Sequence, residues 1–118
     1  MSAGNGNNGA VMVVDSSTAV QDFDHNLAYY KSQHLTVGCK ITHMIGIPMI
    51  AASFFVLPFN RRRFAELQAV GWFLQFLGHF AFEHNKPVLL EVRSPYTVAS
   101  ALVFVYEEWK RFASKQPL

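Results

Sequence analysis

The residues best suited to chemistry in this sequence are histidines. There are five among 118 residues, and His34, His43, His79 and His84 lie near the starts or ends of apolar stretches. His79 is the hardest to dismiss. It sits among Phe76, Leu77, Phe80 and Phe82, where an unpaired imidazole would cost a few kcal/mol. Trp72, Gln75, His79 and Glu83 recur at helical spacing and predict one polar stripe on an otherwise apolar helix. His79 and Glu83, four apart, should stack on neighbouring turns. Imidazole beside carboxylate is metal-ligand chemistry, although a plain hydrogen-bonded pair would also satisfy both groups.

His34 and His43 are nine apart. On one unbroken helix, nine steps of about 100° leave them facing opposite ways. Gly38 lies between them, and a bend there would turn both rings toward one pocket. His25, in Asp24-His25-Asn26, reads as surface. His84 is five residues from His79 and points away from it. Three histidines plus a carboxylate suit Fe(II), Zn(II) or Mn(II), and spacing does not choose among them. The sequence has no His-Glu-x-x-His, no Cys-x-x-Cys, no phosphate-binding glycine loop and no nucleophile elbow.

The elements that must hold these residues are helices. Hydrophobic residues make up 51% of the chain and charged ones 15%, against roughly a quarter charged in soluble domains. Eleven phenylalanines strengthen the bias. One domain of this length cannot bury that much apolar surface by itself, so a membrane is the natural complement. A net charge of +2 and no basic stripe interleaved with aromatics argue against nucleic-acid binding. The lone Cys39 permits no internal disulfide and reads as a small buried thiol.

Residues 1–18 are expected to be a disordered tail. The Asn/Gly-rich start carries no positive charge and does not look like a signal peptide. The helical domain is expected over 19–113, with 114–118 as a tail. Thr18-Ala19-Val20-Gln21 fits a capping box. It predicts an amphipathic helix through Val20, Phe23, Leu27 and Tyr30 that ends near Gly38. Ile41 to Phe59 contains no Asp, Glu, Lys or Arg and reaches the lower limit for a membrane span. Gly46 and Pro48 should kink it or unwind its first turn. Asn60 to Arg63 forms a cationic turn, and Ala65 to Glu83 is a second apolar helix. If both cross, the positive-inside rule puts Arg61 to Arg63 on the cytoplasmic side. Ser94-Pro95 starts a last helix that runs to about Phe112, with Trp109, Lys110 and Arg111 as an interfacial anchor. The expectation is an all-α membrane bundle of about four helices, two or three of them spanning.

The pattern Tyr30-x-x-x-His34, His43-x-x-Gly46-x-Pro48, Trp72-x-x-Gln75-Phe76-x-Gly78-His79-x-x-x-Glu83-x-x-x-Pro87 resembles the 2-hydroxy fatty acid dioxygenase family. The likeness runs from about Phe23 to Phe112. It implies an integral membrane protein, of the endoplasmic reticulum in fungi and the cell membrane in bacteria. It also implies an Fe(II)-dependent oxygenase that shortens 2-hydroxy fatty acids by one carbon with O₂. The family's functional histidines fall on His34, His43 and His79. Glu83 lies in the same motif and is read as a fourth ligand or an orienting partner. The stretch between Pro48 and Trp72 is shorter than in the yeast-like members. The competing readings are a haem protein using two histidines axially and a non-catalytic helical membrane protein.

Overall fold

In a computed structural model, residues 13–118 are described; the first twelve residues of the expected tail lie outside them. The element order is α1 (Phe23–Ser32), α2 (Val37–Val56), α3 (Arg61–Leu77) running into a π-helical turn (Gly78–Glu83), α4 (Val88–Glu91) and α5 (Pro95–Ala113). No strand occurs among the described residues. The all-helical expectation holds, with five α-helices where about four were expected. One helix, α2, is long and apolar enough to cross a membrane.

The first helix begins later than the capping-box pattern predicts. Asp15, not Thr18, organises the preceding turn: its carboxylate accepts from the Thr18 amide at 2.9 Å. Asp22 is the true N-cap, accepting from the His25 amide at 2.8 Å. The His25 ring also reaches Asp22, so this histidine belongs to a helix cap. Further along α1, Asn26 is completely buried. It donates to the Ala19 carbonyl and to Thr97 Oγ1, and accepts from Ser100 Oγ at 2.7 Å. Each polar group of the amide is thereby satisfied, which lets it fix α1 against α5 without a desolvation penalty.

The break before α2 falls at Gln33–Thr36, ahead of Gly38. Thr36 caps α2 through the Cys39 amide. Gly38 serves a different need: a Cβ there would lie 2.5 Å from Phe82 Cγ, so the missing side chain admits that ring. Two further glycines bring α2 and α3 together. A Cβ on Gly46 would stand 2.9 Å from the Gly71 carbonyl, and one on Gly71 would stand 3.0 Å from the Gly46 carbonyl. Small residues at facing positions let helix backbones approach this closely.

Pro48 lies inside α2, and the helix continues through it from Val37 to Val56. Proline leaves the carbonyl four residues back without its helical donor. That carbonyl belongs to Met44, and Trp109 of α5 donates its indole N–H to it at 2.9 Å. Trp109, expected as an interfacial anchor, thus repairs the defect that Pro48 makes. Replacing Trp109 with Phe leaves the carbonyl unpaired. We expect a loss of about 1–3 kcal/mol, read as a lower thermal midpoint. A charged contact joins the same helices, Lys40 Nζ lying 3.6 Å from the buried Glu108 carboxylate.

Candidate metal centre

His34, His43 and His79 are each 1% exposed and converge on one point. Nε2 of His34 lies 3.1 Å from Nε2 of His43, which lies 3.0 Å from Nε2 of His79. The three rings pack edge to face in pairs, with centroids 4.5 to 4.7 Å apart. His34 comes from the break between α1 and α2, His43 from the second turn of α2, and His79 from the π turn.

The other nitrogen of each ring settles where its proton sits. His34 Nδ1 faces the Tyr30 carbonyl at 2.5 Å, and His43 Nδ1 faces the Cys39 carbonyl at 2.8 Å. His79 Nδ1 faces the Asn85 side-chain oxygen at 2.6 Å. The Asn85 amide is oriented by its nitrogen, which donates to both the backbone and side-chain oxygens of Gln33. All three Nδ1 partners only accept, so each Nδ1 carries the hydrogen and each Nε2 presents a lone pair. The His43 lone pair then meets those of His34 and His79 at about 3 Å, with no proton between them. Burial, reinforced by His43 and His79, holds the His34 imidazole well below its usual pKa, so it is neutral at pH 7. Such a set of inward-facing lone pairs is one that could hold a metal ion.

The spacing fits one. Two nitrogens each about 2.1 Å from a shared ion lie about 3.0 Å apart at a right angle and about 3.4 Å apart at the tetrahedral angle. The two separations that involve His43, 3.1 and 3.0 Å, are close to the right-angled case. Carbonyl partners on the remote ring nitrogen are the usual means of orienting metal-binding histidines. Two axial haem ligands would lie on opposite sides of the iron, about 4 Å apart, with a porphyrin between them. The imidazoles here leave no room for that plane.

Cys39 joins this neighbourhood. Ligand atoms of His34, Cys39, His43 and His79 all lie within 4.8 Å of one another. Its sulfur is 3.7 Å from His43 Nδ1, the ring nitrogen turned away from the shared point. A Cys39→Ala protein is therefore expected to keep its metal stoichiometry by elemental analysis. Loss of the metal would make the sulfur a ligand.

Glu83 is placed elsewhere. Its Oε1 accepts from the Leu35 amide at 3.0 Å and from the Thr36 amide and hydroxyl at 2.8 Å each. Through this one oxygen the carboxylate ties the end of the π turn to the segment carrying His34. The local backbone explains the difference from the expected stripe. In α geometry residues four apart are stacked, but the wider π turn leaves the fourth residue short of a full rotation. His84 closes the turn in the left-handed conformation, φ 60°, and the chain doubles back to put Asn85 on His79. His84 itself lies outside the cluster.

Asn85 and the Tyr30 ring were not singled out as site residues from the sequence. Tyr30 stacks on His34, with centroids 4.0 Å apart and planes 12° from parallel. A motif position four residues before His34 was the available signal for Tyr30. For Asn85 the signal was only a polar residue between the helix end and Pro87.

A cavity of about 460 Å³ opens from the three histidines and runs between α2, α3 and the start of α5. Its walls are mostly apolar. The helical bundle thus gathers three buried imidazoles, a donor set able to hold a metal ion, at the head of an apolar cavity. The chain is a member of the Mpo1-like family: the family model described as 2-hydroxy-palmitic acid dioxygenase Mpo1-like matches residues 20–112. No curated protein and no solved structure matches the chain.

Proposed function

We propose that this protein is a non-haem Fe(II) dioxygenase that converts a 2-hydroxy fatty acid and O₂ into the fatty acid one carbon shorter, CO₂ and water. The observation that carries the proposal is the meeting of three Nε2 lone pairs at the head of an apolar cavity. The equation balances without a further reductant. The hydroxylated carbon becomes the new carboxyl carbon, the old carboxyl leaves as CO₂, and the substrate supplies all four electrons that O₂ takes up.

His34, His43 and His79 would hold the metal. When bound, it supplies the Lewis acidity and redox chemistry that O₂ activation requires. The protein does the rest. The Tyr30 and Cys39 carbonyls and Asn85 keep each imidazole in the tautomer that presents Nε2. Glu83 acts as a positioning residue, holding the His34 segment on the π turn. Burial of the three rings keeps bulk water from the reacting carbon. Gln75, 4% exposed and on the cavity wall, adds a polar group beside the histidines for the substrate's hydroxyl and carboxylate.

The setting we propose is a membrane, with lipid substrate and O₂ arriving through it. The α2–α3 hairpin carries its most exposed aromatics, Phe55 at 80% and Phe59 at 89%, next to Arg61–Arg63. Three cations at a helix N-terminus oppose the helix dipole, and although Arg62 and Arg63 reach Glu66 at 3.6 and 3.0 Å, such exposed pairs are worth little. Anionic lipid headgroups would reward them. In this reading α2 and α3 cross together and the bundle belongs to fatty acid α-oxidation.

The decisive experiment is anaerobic purification in detergent, metal analysis, and incubation of the iron-loaded protein with 2-hydroxyhexadecanoate and O₂. Pentadecanoate and CO₂ in equal amounts are expected. Full iron loading with no shortened acid would refute the activity.

A further inference from the structure

The cavity has direction. Along α2 it is lined by Ile47, Ile50, Ala51 and Phe54, which share a face with His43. The eleven steps from His43 to Phe54 span about 16 Å of helix. At the inner end are the histidines, Gln75 and Tyr30, all buried. The lining also includes Phe54, at the far end of this α2 stripe, and Val98 and Leu102 of α5, which are 58%, 52% and 49% exposed. The inner end is polar and closed, whereas the outer end is apolar and open.

One polar side chain on the outer wall could confuse this order. Gln68 lies there, but its nitrogen donates to Ser53 Oγ at 2.7 Å and its oxygen accepts from Trp72 Nε1 at 3.1 Å. Both ends of its amide are engaged within the protein, so it offers nothing to a carboxylate. The head of a 2-hydroxy acid therefore has one polar destination, beside the histidines, and its tail has one apolar route outward.

We infer that the α2 stripe from Ile47 to Phe54 is the acyl-chain track of this site, and that its open apolar mouth lets the tail continue into surrounding lipid. This rests on the dioxygenase reading above. The consequence is a lower limit on chain length without an upper one. Chains too short to reach Phe54 leave part of the track unfilled, while longer ones add only methylenes that lie outside the protein. Ala51 is the narrow choice along the track, since its small side chain leaves the passage free about three quarters of the way from His43 to Phe54.

Two measurements test this. Turnover of 2-hydroxy acids of increasing length should rise and then level off; a fall beyond an optimum would mean a closed end and would overturn the inference. Ala51→Phe should lower the ratio of long-chain to short-chain turnover, 2-hydroxyhexadecanoate against 2-hydroxyoctanoate, by about tenfold or more. An equal loss for both acids would overturn it. Ala51→Leu gives the same comparison with less bulk if the phenylalanine protein does not fold.

A binding readout separates this inference from the proposed activity. Trp72 lines the track, so a 2-hydroxy acid brominated in mid-chain should quench its fluorescence. Excess unbrominated acid should relieve the quenching, and Ala51→Phe should prevent it. Quenching without turnover would keep the track and discard the oxygenase. Turnover without any quenching specific to Trp72, judged against Trp72→Phe, would keep the oxygenase and discard the track.

Discussion

His34→Ala, His43→Ala and His79→Ala proteins should each purify without the divalent cation that the wild type retains, and each should lose turnover by more than about a hundredfold. That loss exceeds the 10- to 100-fold typical of removing an outer partner of a metal ligand. The reason lies in the spacing. Nitrogens 3.0 and 3.1 Å apart form a single three-point site, and two remaining lone pairs cannot hold an ion against water as firmly. Metal content measured by plasma emission, beside turnover of the same preparation, checks the claim. The alanine proteins should still fold, because removing a ring also removes the repulsion between unshared lone pairs. The metal-free wild type should melt lower than the loaded protein, as any ligand that binds only the folded state requires. Normal metal content in all three variants, with only stability reduced, would make the histidines structural.

The second large effect is expected at Asn85, which touches no metal. Its oxygen holds the proton on His79 Nδ1, and its nitrogen is anchored on Gln33. In Asn85→Leu the His79 ring can move that proton to Nε2 and cover the lone pair the site needs. Metal affinity should fall by about 10- to 100-fold. Asn85→Asp restores an acceptor for the ring while losing the donor to Gln33, so it should recover much of the affinity. A residue that only supports the fold would not show this order: Asp and Leu would both act on melting temperature and leave affinity unchanged. Competition with a chelator of known affinity, run on both variants, distinguishes the two.

The sequence made the helices and the three imidazoles legible because both leave marks in residue type. Apolar runs with few charges mark helices, and a histidine amid phenylalanines calls for a partner. The path of the chain between those marks was less visible. Helical spacing placed Glu83 under His79, but the π turn from Gly78 to Glu83 has no signature in composition, and one wider turn moved the carboxylate to Thr36. Gly38 was read as the bend, although the actual break is made by a Thr36 cap and a glutamate 47 residues further on. Pro48 was expected to kink α2 or unwind its first turn; the helix runs on through it, and the donor for the carbonyl it frees, the Trp109 N–H, comes from another helix and so was not visible locally. Each difference arises from a long-range hydrogen bond that overrode a local preference. The short α4 after Pro87 was not anticipated, since four residues carry too little periodicity to register.

The position of the α2–α3 turn decides which part of the chain is free to drift. From His43 to the end of α2 at Val56 is about 20 Å of helix axis. Insertions or deletions near Phe59 and Arg61 would therefore lengthen or shorten a remote promontory and leave the imidazoles undisturbed. The segments around Gln33–Thr36 and Glu83–Asn85 have no such latitude, because each is knotted to the other by side chains. Such a molecule can be retailored for different bilayers or lipids at one end while its reactive end stays fixed.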